Sequence, residues 1–146
     1  MDYINFNTKE KYLAFLDALA SYCDIVAVLK EDDENVYSEF IELVKPYMLE
    51  SKWVNRFPGG GGGGKVRKYP LCKDVVSIFK KYDSFLDVGY DYDTELGLDM
   101  AFYKNKTLVF NVLRHEDMCN LETKDEPFFK DVMDEYNIKP MDNVWI

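Results

Sequence analysis

The amino-acid sequence predicts an α+β fold, an antiparallel sheet of about five strands with three to four helices packed on it. Two observations predict the class. Apolar residues recur at helical spacing around positions 12–23, 36–48 and 75–82, whereas positions 98–102 and 108–112 alternate apolar and more polar residues with a period of two. No internal period recurs along the chain, which excludes a solenoid.

The first helix is expected after Asn7 and Glu10, a capping-box-like pair, with Tyr12, Phe15, Leu16, Leu19 and Cys23 on its inner face. The continuous apolar run at 25–29 is short and rich in β-branched residues, so it reads as a strand buried on both faces or a tight extended link. EDDEN at 31–35 supplies turn residues and places acids at the N-terminus of a second helix, where the dipole favours them. Its inner face comprises Val36, Phe40, Ile41, Val44, Tyr47 and Met48, and Pro46 is expected to kink or end it.

Residues 52–57 and 65–71 read as two strands of a hairpin, with Trp53 and Phe57 on one side and Val66 and Tyr69 on the other. Asp74 opens a third helix with Val75, Ile78, Phe79 and Tyr82 inward. Three β segments follow, at 84–93, 95–103 and 106–115, with Lys104, Asn105 and Lys106 as the turn between the last two. A last helix spans 127–136 and buries Phe128, Val132 and Met133, before a terminal segment in which Trp145 packs.

At 146 residues, with 16% aromatics, the chain fits one domain, 1–146, with a single core. Three cysteines, Cys23, Cys72 and Cys119, are odd in number and show no CxxC pairing, so neither a disulfide framework nor a zinc knuckle is expected. The first residues lack the basic and apolar regions of a secretory signal, and no stretch reaches about 18 apolar residues. Those features favour a cytoplasmic protein with reduced thiols and no membrane span.

Charge is distributed unevenly. Residues 1–50 carry eleven acids against four bases and residues 83–146 fifteen acids against six, but residues 51–82 carry eight bases against the single acid Asp74. That basic segment also holds six of the eight glycines, unbroken at 59–64. A phosphate cradle would need a buried strand before the glycines and a Lys-Ser/Thr pair opening a helix after them. Pro58 precedes the run and the strand-like KVRKY follows, so the run reads instead as an artificial linker that replaces a longer native loop.

Trp53, the Phe57-Pro58-Gly59 segment, Tyr69-x-Leu71-Cys72 and Leu113-Arg114-His115-Glu116-Asp117 before Leu121 follow one another in an order that resembles a set of small uncharacterised bacterial proteins. These carry a W-P-G-T segment, a Y-R-Y-x-L-type strand and a late strand ending in an H-E-x-D-like turn. The resemblance spans residues 53–121 and implies a bacterial or phage origin but no activity.

Three constellations could carry function. His115, Glu116 and Cys119 offer imidazole, carboxylate and thiol within five residues, and on a helix His115 and Cys119 would share a face, as a metal site or a nucleophile with its base requires. His115 is the only histidine, so a metal site would have to recruit distant carboxylates. Asp91, Asp93 and Glu95 would line one face of a strand at period two, flanked by Tyr90 and Tyr92. Lys52, Arg56, Lys65, Arg67 and Lys68 form a basic strip beside Trp53 and Tyr69. An isoelectric point near 4.6 opposes nucleic-acid binding by that strip, since most of the surface repels phosphate.

No metal or cofactor is expected from this pattern. The favoured expectation is a non-enzymatic protein-binding module, such as an immunity or inhibitor protein that captures a basic partner through Tyr90, Asp91, Tyr92, Asp93 and Glu95. Two alternatives stand beside it. One is a small metal-dependent or hydrolytic enzyme using His115 and nearby carboxylates, and the other a nucleic-acid binder working through the basic 52–68 hairpin.

Overall fold

The computed structural model describes residues 4–30, 38–58, 63–93, 95 and 97–140. The fold is α+β, one antiparallel sheet of six strands with four α-helices. In chain order the elements are α1 (Lys9–Tyr22), β1 (Ile25–Lys30), α2 (Glu39–Val44), β2 (Glu50–Val54), β3 (Gly64–Pro70), α3 (Lys73–Phe79), β4 (Asp99–Lys104), β5 (Thr107–Leu113), β6 (Met118–Leu121) and α4 (Glu126–Glu135). The strands lie in the order β2-β3-β1-β4-β5-β6. No helix among the described residues is long and apolar enough to cross a membrane.

β1 is central, paired with β3 on one side and β4 on the other, which explains its unbroken apolar run. Val26 and Val28 face the helices and join a core that includes Phe15, Phe79, Phe102, Phe110 and Phe129. Ala27 and Leu29 point the other way and join Phe57, Val66 and Ala101 in a smaller second core. A strand buried on both faces cannot alternate apolar with polar.

Local signals set the element ends. Thr8, not Asn7, caps α1, its hydroxyl accepting the Lys11 N–H at 3.2 Å. Ser38 caps α2, and Pro46 falls in a 3₁₀ turn (Lys45–Tyr47) that ends the helix. Met48 is therefore released to the surface, 40% exposed, rather than buried on a helix face. Lys104 pairs with Thr107 across a two-residue turn in which Asn105 (φ 49°) and Lys106 (φ 68°) both adopt left-handed backbone, as a tight hairpin requires.

Other expectations are corrected. Residues 84–93 form no strand, but a 3₁₀ turn (Phe85–Asp87) followed by tight turns, whereas the short β6 supplies a strand that its four residues did not announce. Phe57 and Val66 share the second core, Tyr69 lies in the main core and Trp53 is 67% exposed. Val66 and Tyr69 are three apart, so the pleat sends them to opposite faces. In α4, Phe129 and Met133 are buried, while Phe128 is exposed and stacks on Tyr22 with ring centroids 4.2 Å apart. Trp145 and EDDEN lie outside the described residues.

Two of the six glycines of the run are described, one opening β3 and one immediately before it. Gly64 pairs with Val54. At Gly63 a Cβ would stand 2.7 Å from the Val54 carbonyl oxygen and 2.8 Å from that of Asn55, so only glycine fits there.

Candidate functional site

The turns between Phe85 and β4 fold as they do because short polar side chains bond their own backbone and so outcompete a strand ladder. The Ser84 hydroxyl accepts the Asp87 N–H at 3.2 Å and donates to Asp87 Oδ2 at 3.1 Å. Gly89 takes φ 68°, which turns the chain. Asp91 Oδ1 accepts the Asp93 N–H at 2.9 Å, and its carbonyl accepts the Glu95 N–H at 2.8 Å, with Glu95 itself at φ 59°.

This geometry corrects the expected row of carboxylates. Asp91, Asp93 and Glu95 do not share a strand face, because a turn rotates successive side chains away from one another. Asp91 spends one oxygen on its own turn, while Asp93 and Glu95 are exposed.

Tyr90 and Tyr92 are brought together. Their rings meet edge to face with centroids 4.7 Å apart, and the Tyr92 hydroxyl donates to Asp87 Oδ1 at 2.9 Å. That hydrogen bond, followed by the negative charge of Asp87, holds the Tyr92 phenol above its ordinary pKa, so it remains a neutral donor. Tyr92 is nonetheless 73% exposed.

A residue outside the predicted set braces the pair. The Arg114 guanidinium carbon stands 4.1 Å from the Tyr90 ring centroid. Asp117 pairs with that guanidinium, and the buried Asp99 accepts the Arg114 backbone N–H at 2.8 Å. Gly97 makes room for the stack, since a Cβ there would lie 2.4 Å from Arg114 Cγ and 3.2 Å from Tyr90 Cδ2. One signal was available in the sequence: Arg114 is the only base between Lys106 and Lys124.

The other two constellations disperse. Residues 114–116 form a 3₁₀ turn and Cys119 lies on β6, so His115, Glu116 and Cys119 share no helix face. The His115 side chain lies outside the described set, and Glu116 is exposed. Burial pushes the Cys119 thiol up to about 12, followed by the effect of Asp117, which leaves it neutral and a poor nucleophile at physiological pH. Among the described residues no group of three or more His, Cys, Asp or Glu side chains could hold a metal ion.

The basic strip is divided by the pleat. Lys65 and Arg67 point to the helix-covered face with Trp53 and Tyr69, whereas Lys52 and Lys68 point to the other, where Lys68 pairs with Glu50 at 3.0 Å. Arg56 is exposed in the segment after β2.

The thiols give a direct check on burial. Cys23 is also buried and pushed up to about 12, mainly by desolvation, whereas Cys72 is half-buried. Iodoacetamide at neutral pH is expected to modify Cys72 in the folded protein, with Cys23 and Cys119 reacting only after denaturant is added. Peptide mass spectrometry reads the order, and a Cys119 that reacts as fast as Cys72 would contradict the packing of β6.

Comparison with protein-family models, with curated proteins and with solved structures finds no match, so the functional reading rests on the residues themselves.

Proposed function

We propose that the chain is a small acidic protein-binding module, an inhibitor or immunity-type protein that captures a basic partner. One observation carries the reading: Tyr92 is 73% exposed yet fixed, by its bond to Asp87 and by a Tyr90 ring that Arg114 backs. An exposed aromatic already held in place loses little rotamer freedom on binding, which suits an interface anchor. Asp91, Asp93 and Glu95 beside it add a negative field that steers a cationic surface and deters an anionic one.

The test is affinity capture from a lysate of the source cells over a salt series. Wild type is expected to retain basic proteins that salt releases steeply. Tyr92→Ala and the double variant Asp91→Lys, Asp93→Lys are each expected to lose them, and Lys52→Glu to keep them. Retention that is equal in wild type and both loop variants would overturn the proposal.

A further inference from the structure

The outer side of β2 is the second feature of the surface that the fold leaves unexplained. β2 is an edge strand, and among the described residues no strand pairs with its outer side. The opposite edge is partly covered, because the Ile4 N–H donates to the Cys119 carbonyl of β6 at 2.9 Å. Three of the large exposed apolar side chains gather at the β2 edge: Met48 (40%), Leu49 (59%) and Trp53 (67%). A sheet edge with that composition presents unpaired backbone groups beside apolar surface, which favours strand addition.

A lysine on an edge strand normally guards against pairing, and Lys52 is placed to do so. The order of residues along β2 reverses that effect for one partner. Successive residues at 49–53 are Leu, Glu, Ser, Lys and Trp. Two copies running antiparallel about a two-fold axis at Ser51 place each Glu50 opposite the partner's Lys52 and each Leu49 opposite the partner's Trp53. Facing residues of an antiparallel pair lie on the same side of the sheet, and Glu50 with Lys52 share a side within β2, while the extension of β2 by one residue puts Leu49 on the side of Trp53. Each opposition therefore occurs twice, with charge matched on one face and apolar area on the other. Shifting the axis by one residue to Lys52 puts lysine against lysine, and shifting it to Glu50 puts carboxylate against carboxylate.

We infer that β2 is a self-recognition edge, and that two copies of this chain join through it in the register centred on Ser51. The six-stranded sheet of each protomer then continues into its partner's. The contact is isologous, so it closes at two copies rather than growing into a fibre. Five residues per strand bury less than a standard interface, so association depends on concentration. The Glu50 carboxylate, already 3.0 Å from Lys68, gains a second cation from the partner's Lys52. The edge lies apart from the Tyr92 loop, so dimerisation and partner capture are independent properties.

Sedimentation velocity over a concentration series tests the register. Wild type is expected to pass from monomer to dimer. Glu50→Lys alone and Lys52→Glu alone are each expected to weaken dimerisation by about tenfold or more, because each replaces two attractions with two repulsions. The doubly exchanged variant, Glu50→Lys with Lys52→Glu, is expected to regain it. Mixing the two single variants is diagnostic, because in this register their opposed charges match and a heterodimer forms. Both side chains changed, Glu50 and Lys52, are exposed, and circular dichroism checks that each variant is folded. Wild type that stays monomeric throughout, single variants that dimerise as well as wild type, or a mixture that forms no heterodimer would each overturn the inference.

Discussion

Replacing Phe85 with alanine is expected to lower the free energy of unfolding by about 3–5 kcal/mol. The ring is 1% exposed and sits at the centre of an aromatic cluster, with centroids 4.7 Å from Tyr12, 5.1 Å from Phe6, 5.1 Å from Phe110 and 6.0 Å from Phe102. Helix, sheet and N-terminal segment all lean on it, so no one of them can collapse into the space without leaving another. Whole-domain stabilities are about 5–15 kcal/mol, so the loss would remove a large fraction of the total. Urea denaturation measures it, with Phe128→Ala as the contrast. That ring is 46% exposed and is expected to cost well under half as much. A loss for Phe85→Ala below about 1 kcal/mol would show that the core does not close around this ring.

The effect reaches the proposed site. Phe85 opens the 3₁₀ turn that ends at Asp87, and Asp87 holds the Tyr92 hydroxyl. Loosening the anchor ring therefore frees the exposed one, and partner capture should fall even under conditions in which most molecules remain folded.

Gly89→Val is expected to be the second severe change, costing about 3 kcal/mol or more through backbone strain and overpacking together. The backbone at Gly89 lies at φ 68°, which a β-branched residue strongly resists. A Cβ there would also stand 2.2 Å from Leu98 Cδ1 and 2.8 Å from its Cγ, and Leu98 is 2% exposed, with little room to retreat. The two causes are separable by a double-mutant cycle. Leu98→Ala should cost less in a Gly89→Ala background than in wild type, because the cavity it leaves accepts the new methyl group. Additive losses would place the whole effect in the backbone.

Much of the fold was legible in the sequence where one residue type admits one conformation. Pro46 interrupts α2, Asn105 and Lys106 fall in the turn that joins β4 to β5, and the apolar run at 25–29 becomes a strand between two packed faces. The site was legible in content and not in shape. Alternating Tyr and Asp at 90–93 mimics a strand, yet Ser84, Gly89 and Asp91 each close a local turn that offers the backbone an alternative to a ladder. The contact of Arg114 with Tyr90 leaves no local pattern, because the ring lies 24 residues earlier in the chain and only the folded sheet brings them together. Phe57 does not share a side with Trp53 because β2 ends at Val54 and the chain has left the pleat before reaching it.

The lining of the second core has a practical consequence for how the chain can be handled. Phe57 is seated among Ala27, Leu29, Val66 and Ala101, the Asn111 amide reaches the Pro58 carbonyl at 3.4 Å, and Gly63 rests against the backbone of Val54 and Asn55. Both banks of the crossing are thus moored independently of whatever spans them. Lengthening the span adds only a logarithmic entropic cost, which makes the stretch between Pro58 and Gly63 a natural splice point for an epitope tag or a fluorescent reporter.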